Sequence, residues 1–211
     1  MEGSGGLAVP EGTAQLWLVR HGETEWNAAR RLQGHTNEEC PLNDRGRRQA
    51  EAVASALGDW HRLLGQGGFR KLYCSDLARA RSTADAIGAA TGLTPDPAFS
   101  QGLRERCMGA HLEGLHIHEA PEAAPDAWRA FREGRPIPGG GESSREMRRR
   151  VMTTAAQIAA THPGERVIAG AARTHASRRS SGGRSTPGSP CNPHARRSAT
   201  SVLSLDLHAS R

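Results

Sequence analysis

The residues best suited to chemistry lie at the end of a short apolar run near the beginning of the chain. The run Leu16–Val19 predicts a buried strand, and Arg20-His21-Gly22 follows it directly. In parallel α/β sheets, ligands bind at the carboxyl ends of the strands. An imidazole at that position can attack a phosphoryl group near neutral pH, and a guanidinium offers a planar fork to phosphate oxygens. An isolated Arg-His pair is more often a histidine satisfied in a surface turn, so the motif needs support from the rest of the chain.

The elements that must position this motif alternate between strands and helices. Asn43 can cap a helix whose apolar spacing ends at Gly58, and Ser143-x-x-Glu146 is a capping box that opens another helix. Further strands are predicted at residues 71–74 and 166–169, with helices at residues 77–92 and 124–132. Strand, helix, strand, helix, strand in this order predicts an α/β domain with a largely parallel sheet.

Length and charge indicate one domain with a basic tail. At about 150 residues per domain, 211 residues allow one domain with additions. The net charge of +6 comes entirely from residues 171–211, which hold seven arginines and one aspartate. The predicted organisation is a disordered lead-in (1–14), the domain (15–170), a basic low-complexity segment (171–198) and a terminal strand (199–211). Residues 176–198 contain no bulky apolar side chain, which predicts disorder or a long surface loop.

Composition also narrows the compartment and the partners. No apolar run approaches the length of a membrane span, and no signal peptide is recognisable, so we expect no membrane partner. The four cysteines lack CxxC spacing, which favours a reduced, cytoplasmic protein. His116-x-His118 has no acidic or thiol partner at ligand spacing, which favours a loop over a metal site. The Ser-Arg clusters of the tail have no interleaved aromatics, which favours a solvated segment over a nucleic-acid arm.

Further segments, taken in order with residues 20–27 (RHGETEWN), resemble one known family. These segments are Leu32–His35, Pro41–Gly46 with Gln49-Ala50, Ser75–Ala80, Leu103–Arg106 and Gly139–Ser143. Each is weak alone, but together they cover residues 15–169 almost continuously and resemble the histidine phosphatase superfamily of phosphoglycerate mutase-like enzymes. The resemblance implies a three-layer α/β/α sandwich with a mostly parallel central sheet.

The resemblance also implies roles for individual residues. His21 corresponds to the nucleophile that becomes phosphohistidine, and Glu105 corresponds to the general acid that protonates the leaving oxygen. Arg20 and Arg79 correspond to the guanidiniums that hold the phosphate. The remaining residues implied at the phosphate or at the rim of the site are Asn27, Glu23, Thr24, Gln33 and Gly34. A helix charge at Arg79 and a simple ion pair of Glu105 with Arg104 or Arg106 are the structural alternatives.

The resemblance implies a metal-independent phosphomonoester hydrolase acting on a small phosphorylated metabolite, with no cofactor. The alternative within the family is a phosphoglycerate mutase, which would use 2,3-bisphosphoglycerate as activator. The segment between Glu105 and the glycine loop is short and leaves little material to enclose an intermediate against water, which favours the hydrolase. The oligomeric state is left open.

The family pattern breaks down after the strand at residues 166–169. The family has an aliphatic strand, then Ser/Thr-His-Gly and an amphipathic helix, whereas this chain has Arg173-Thr174-His175-Ala176 about two residues late. His175 is the better candidate for the second catalytic histidine, and His194 is a poor one. A catalytically impaired relative, or an altered reading frame over residues 171–198, are the alternatives that this break raises.

Overall fold

A single mixed sheet carries the fold. The computed structural model of the chain describes residues 8–171 and 202–208. Within these ranges the strands are β1 (Thr13–Arg20), β2 (Phe69–Cys74), β3 (Pro95–Asp96), β4 (Arg166–Ala171) and β5 (Val202–His208). Their order is β3-β2-β4-β1-β5, with β5 antiparallel to β1 and every other pair parallel. The prediction of an α/β fold with a mostly parallel sheet is confirmed.

The helices of the described residues lie between and around these strands. They are α1 (Glu25–Ala28), α2 (Asp44–Leu64), α3 (Ala78–Thr91), α4 (Ala120–Ala123), α5 (Pro125–Glu133) and α6 (Ser144–Thr161). Short 3-10 turns occupy Gly65–Gly67 and Gln101–Leu103. No helix in the described ranges is both long and apolar enough to cross a membrane.

Apolar side chains alternate along the strands and divide the core between the two faces of the sheet. On one face, side chains of β1 and β4 pack against Ala155 and Ile158 of α6. On the other face, Val19, Leu72 and Ile168 pack with α2 and α3. Each fully buried aliphatic side chain of this kind stabilises the fold by about 1.5–3 kcal/mol. The result is the expected three-layer α/β/α sandwich.

Two helix starts form as the sequence predicts. The Asn43 side chain accepts a hydrogen bond from the Gly46 amide at 2.8 Å. The Ser143 hydroxyl accepts from the Glu146 amide, and the Glu146 carboxylate accepts from the Ser143 amide, at 3.1 and 2.8 Å. Each bond satisfies an amide that the first turn of a helix leaves without an intrahelical partner, which is why these residue types mark helix starts.

The predicted end of α2 at Gly58 is wrong, because the helix continues to Leu64. Gly58 is buried inside the helix, and a Cβ at this position would lie 2.8 Å from the carbonyl oxygen of Ala90. The glycine therefore allows α2 and α3 to approach closely. Periodicity alone does not distinguish a glycine that ends a helix from one that admits a neighbouring backbone.

Other boundaries also shift. Strand β1 begins at Thr13, inside the predicted lead-in, because Thr13 pairs with His208 of β5 and Ala14 is fully buried in the core. Strand β3 is too short to give a pattern and was not predicted. The terminal strand predicted from alternating leucines is present as β5. Residues 1–7 of the lead-in and residues 172–198 of the basic segment, with His175 and His194, lie outside the described residues.

A third apolar cluster joins the connections at one end of the sheet. Leu32 packs there with Met108, Leu112, Ala127 and other side chains of the segment that contains α4 and α5. Backbone bonds from Leu32 to Leu115 and from Gly114 to Leu32 fix this segment to the connection after α1. Residues 31–37 and 105–115 are thereby held next to each other.

Candidate active site

His21 follows the last residue of β1, and only 6% of its surface is exposed. Its Nδ1 lies 2.7 Å from the carbonyl oxygen of Gly22, and its Nε2 lies 3.2 Å from Nε of Arg79. A carbonyl oxygen only accepts hydrogen bonds, and a guanidinium only donates them. Nδ1 therefore carries the proton, and the lone pair on Nε2 accepts from Arg79. This lone pair can attack an electrophile once the Arg79 N–H turns to another acceptor.

Electrostatics keep this ring neutral. Burial and the charge of Arg79 lower the pKa of His21 from 6.5 to about 3, with a smaller contribution from Arg20, although the bond to Gly22 acts in the opposite direction. The imidazole is thus in its nucleophilic form at every pH at which the protein would work. The contribution of Arg20 also shows that its charge lies near the ring.

Arg79 is fully buried in the first turn of α3. Its Nη2 donates to the carbonyl oxygen of Gly34 at 2.9 Å, while its Nη1 has no hydrogen-bond partner in the part of the chain that the structure describes. Burial lowers the pKa of this guanidinium, and the nearby charge of Glu105 raises it. A buried cationic donor without an acceptor is costly. Such a group is suited to receive an anion.

Close backbone contacts fix the loop that carries His21. A Cβ on Gly22 would lie 2.2 Å from the carbonyl oxygen of Gly46, so the first turn of α2 lies directly against the loop. The Gly22 amide donates to the hydroxyl of Thr83 on α3 at 3.2 Å, and that hydroxyl donates to the carbonyl of Arg79. His21 and Arg79 are therefore held in one rigid arrangement by both helices of this layer.

Glu23 also attaches the loop to α2. Its carboxylate accepts from the Asn43 amide group at 3.2 Å and lies 3.7 Å from Arg45, and its backbone amide donates to Gln49 at 2.9 Å. These contacts place Glu23 between the loop and the start of α2.

The side chains of Thr24, Asn27 and Gln33 form a second network. The Thr24 hydroxyl and the Asn27 amide both donate to Oε1 of Gln33, at 3.0 and 3.1 Å. Two donors on one oxygen fix the orientation of the Gln33 amide. Its Nε2 is buried and has no partner among the described residues, so it is a second oriented donor of the same kind as the one on Arg79.

The loop after Gln33 is held by a carboxylate that the sequence did not reveal. Glu113 accepts from the amides of Gly34, His35, Thr36 and Asn37 at 2.8 to 3.3 Å. A Cβ on Gly34 would lie 2.7 Å from this carboxylate and 2.8 Å from the backbone nitrogen of Met108, so a larger residue would force the backbone to shift. Because the partners are more than seventy residues apart, no local pattern indicates the contact.

Glu105 lies in the irregular segment after the second 3-10 turn, close enough for its charge to raise the pKa of Arg79. The arginines on either side have other acceptors. Arg104 makes a bidentate pair with Asp76 at 2.6 and 2.7 Å, and Arg106 donates to three backbone carbonyls, including that of Glu142 at 2.8 Å. The bond from Arg104 is the main reason that the pKa of Asp76 is lowered. The Glu105 carboxylate accepts from the backbone amide of Arg106 at 3.0 Å. Burial lowers the pKa of the Arg106 guanidinium, and the charge of Glu105 acts in the opposite direction. Glu105 therefore interacts with Arg106, whose guanidinium hydrogen bonds go to carbonyl oxygens.

The predicted site residues thus fall into connected groups. Contacts join His21, Arg79 and Gly34, while Gln33 extends this set to Thr24 and Asn27. The histidines of the HxH pair lie together in another part of the chain, with ring centroids 5.3 Å apart. Within the described ranges, no group of three His, Cys, Asp or Glu side chains could hold a metal ion. His175 lies outside those ranges.

Several residues that shape the site were missed: Thr83, Asp76, Glu113, His35, Glu142 and Arg150. Glu142 lies in the glycine-loop segment already quoted for the family resemblance, so a signal for it existed. Asp76 and His35 also lie in quoted segments, Ser75–Ala80 and Leu32–His35. Thr83, Glu113 and Arg150 form hydrogen bonds with groups distant along the chain, and such bonds leave no trace in a single sequence.

A buried, neutral histidine at the carboxyl end of a parallel strand, together with guanidinium and amide donors, is an arrangement suited to phosphoryl transfer. The family comparison agrees with this class. A family model of the histidine phosphatase superfamily (branch 1) matches residues 16–176, and the chain belongs to that family.

Individual relatives support the same assignment. The chain is 40% identical over 158 residues to phosphoglycerate mutase-like protein 4 of Arabidopsis thaliana. The aligned region covers 74% of this chain and 64% of that protein. It is 42% identical over 165 residues to a metal-independent phosphoserine phosphatase of the same plant, covering 77% and 65%. The chain therefore spans just under two thirds of the length of these two curated relatives. A solved structure of mycobacterial glucosyl-3-phosphoglycerate phosphatase in complex with VO3 has a TM-score of 0.62 at 32% identity, covering 75% of each chain.

Proposed function

We propose that the protein is a phosphomonoester hydrolase that requires no metal ion and acts through a phosphohistidine on His21. One observation carries the proposal: His21 Nε2 is bound to the buried guanidinium of Arg79, whose Nη1 donor has no acceptor in the described ranges. A second buried donor of this kind is Nε2 of Gln33, the residue before Gly34, whose carbonyl accepts from Arg79. Phosphoryl oxygens are acceptors suited to such donors, because they carry negative charge that is spread over three oxygens in the transition state.

In the first step, the Nε–H of Arg79 turns from Nε2 of His21 to a phosphoryl oxygen. The freed Nε2 lone pair then forms a bond to phosphorus as the ester P–O bond breaks. The carboxyl proton of Glu105 passes to the leaving oxygen, which departs as an alcohol. The Nδ1–H bond to the Gly22 carbonyl disperses the positive charge that develops on the ring. Arginines that hold the phosphoryl oxygens supply the charge that a metal ion supplies in other phosphoryl-transfer enzymes.

In the second step, a water oxygen attacks phosphorus and the N–P bond breaks. Glu105, now a carboxylate, takes a proton from this water and regains its starting form, and inorganic phosphate leaves. Arg20, Arg79, Asn27 and Gln33 hold the phosphoryl oxygens in this proposal, and Gly34, whose amide donates to Glu113, belongs to the rim. Glu23 and Thr24 shape the rim. His175, which lies outside the described residues, is proposed as the second histidine of the reaction.

The substrate class is a small phosphorylated metabolite. Relatives whose names state a phosphoserine phosphatase and a glucosyl-3-phosphoglycerate phosphatase support this class. We also propose a cytoplasmic location, because the cysteines lack disulfide-type spacing and Cys40, Cys74 and Cys107 are free thiols. Residues 15–170 with the terminal strand would then form the catalytic domain.

A phosphoglycerate mutase is the second candidate, because relatives named as mutase-like or probable mutases match the chain. It alone would need 2,3-bisphosphoglycerate. The segment between Glu105 and Gly139 holds only the short helices α4 and α5, which favours hydrolysis because an open site admits water.

The test is phosphate release by the full chain from O-phosphoserine, 3-phosphoglycerate and p-nitrophenyl phosphate, with and without a chelator. We expect chelator-independent release that falls by about a thousandfold or more in His21→Ala. The matched control is His118→Ala, an exposed histidine, which should act like the wild type. Formation of 2-phosphoglycerate from 3-phosphoglycerate would instead show the mutase. Equal activity of His21→Ala and wild type, or a wild type with no activity on any substrate, would overturn the proposal.

A further inference from the structure

One side chain of a distant helix makes four hydrogen bonds to the segment that carries Glu105. Arg150 of α6 donates through Nη1 to the carbonyl oxygens of Gln101, Gly102 and Arg104 at 3.0 to 3.2 Å. Its Nη2 donates to the carbonyl of Glu105 at 3.1 Å. Residues 104–107 belong to no helix or strand, so their backbone has few bonds of its own to fix its path.

Glu142 holds the other side of the same segment. The Arg150 guanidinium pairs with its carboxylate in a bidentate arrangement, at 2.9 and 2.7 Å. The carboxylate also accepts from the Cys107 amide at 3.0 Å, and the Glu142 amide donates to the Cys107 carbonyl at 3.0 Å. Burial alone would raise the pKa of Glu142, but the bonds from Arg150 and Cys107 keep it lowered, so the group stays a carboxylate. Glu105 therefore lies between two fixed points.

A third contact connects this segment to the phosphate-side loop. The ring Nε2 of His35 donates to the same Glu105 carbonyl that accepts from Arg150. His35 follows Gly34, whose carbonyl holds Arg79. The backbone of Glu105 is thus fixed relative to Arg79 through a short chain of contacts.

We propose that Arg150, with Glu142 as its counter-ion, is the positioning residue that aims Glu105 at the leaving oxygen. This inference rests on the proposed function. Arg150 acts through Glu105, since its bonds go to the backbone of residues 101–105 and to Glu142. Displacing a catalytic group by about 1 Å can cost about a hundredfold in rate, and general acids contribute about 10²- to 10⁴-fold.

A leaving group that needs protonation distinguishes positioning from a general structural role. If the Glu105 carboxyl is displaced, the leaving oxygen of an alkyl ester is protonated less efficiently and departs more slowly. p-Nitrophenolate is a stable anion and departs without being protonated. We therefore measure kcat/KM, which reports the first step, for O-phosphoserine and for p-nitrophenyl phosphate in the wild type and in Arg150→Met. We expect a loss of about a hundredfold on the alkyl ester and less than about threefold on the aryl ester.

Matched variants complete the experiment. Arg149→Met removes an exposed arginine one residue away and should change neither value. If thermal melting shows that Arg150→Met does not fold, Glu142→Gln tests the same ion pair between Arg150 and Glu142. This variant should also lose kcat/KM on the alkyl ester and keep it on the aryl ester. His21-dependent wild-type activity combined with equal losses on both esters overturns the inference and leaves the proposed function intact. A wild type without His21-dependent activity overturns both.

Discussion

Burial of a neutral imidazole at His21 makes the stability of the fold depend on pH. The pKa of His21 is about 3 in the folded chain, against 6.5 for the ordinary side chain. Between these values the unfolded chain binds a proton that the folded chain does not, so acid favours unfolding. The contribution of the neutral ring is complete above 6.5 and is lost progressively as the pH falls toward 3. At about 1.4 kcal/mol per pH unit, a fall from about pH 7 to about pH 5 removes about 2 kcal/mol through this group.

Urea unfolding at the two pH values measures this effect. The free energy of unfolding of the wild type should fall by about 2 kcal/mol more than that of His21→Gln, which has no titrating ring. His118→Gln, which changes an exposed histidine, should fall as much as the wild type. Equal losses in the wild type and in His21→Gln would refute the reasoning, because the buried ring would then not resist protonation.

Three further substitutions probe the site. Arg79→Lys should lower kcat/KM by about 10²- to 10³-fold, because an ammonium cannot bond His21, Gly34 and a phosphoryl oxygen in the fixed geometry of a guanidinium. Glu113→Gln should destabilise the fold by about 1–3 kcal/mol in urea unfolding and raise KM, because an amide cannot accept from all the backbone amides that this carboxylate holds. Gly22→Ala should destabilise by about 1–3 kcal/mol or more in the same assay, because its methyl group would clash with a backbone carbonyl that cannot move alone.

Each of these changes has a matched control in the chain. Arg81→Lys is the control for Arg79→Lys and alters an exposed arginine two residues further along α3. Glu119→Gln is the control for Glu113→Gln and alters an exposed glutamate. Gly67→Ala is the control for Gly22→Ala, because a methyl group there would meet only a side-chain atom of Arg166, at 3.4 Å. We expect wild-type kinetics for the first control and stability within about 0.5 kcal/mol of wild type for all three. Losses in a control that match those of its partner would contradict the assigned contacts.

Much of the fold could be predicted from local signals. The strand before Arg20, the caps at Asn43 and Ser143 and the helix stop at Gly92 each follow from side chains a few residues apart. These signals are short-range, so a single sequence displays them. Gly58 misled the prediction because its function is a contact with α3, which periodicity does not reveal.

The site divides in the same way. His21, Arg79 and Glu105 belong to motifs and could be proposed, with roles supplied by the family resemblance. The residues that hold them in place, such as Glu113 and Arg150, bind backbone groups far along the chain. Such bonds depend on the path of the chain and not on the residue types that they join, so no pattern predicted them.

The position of phosphorylation is the most direct test of the central claim. The full chain is mixed with p-nitrophenyl phosphate, quenched in base during turnover and digested, and the modified peptide is mapped by mass spectrometry and phosphorus NMR. Because Nδ1 of His21 donates to Gly22 and Nε2 holds the lone pair, the account predicts a base-stable, acid-labile phosphate on Nε2 of His21. Phosphate on Nδ1 or on another residue, or turnover without any acid-labile label, would contradict it.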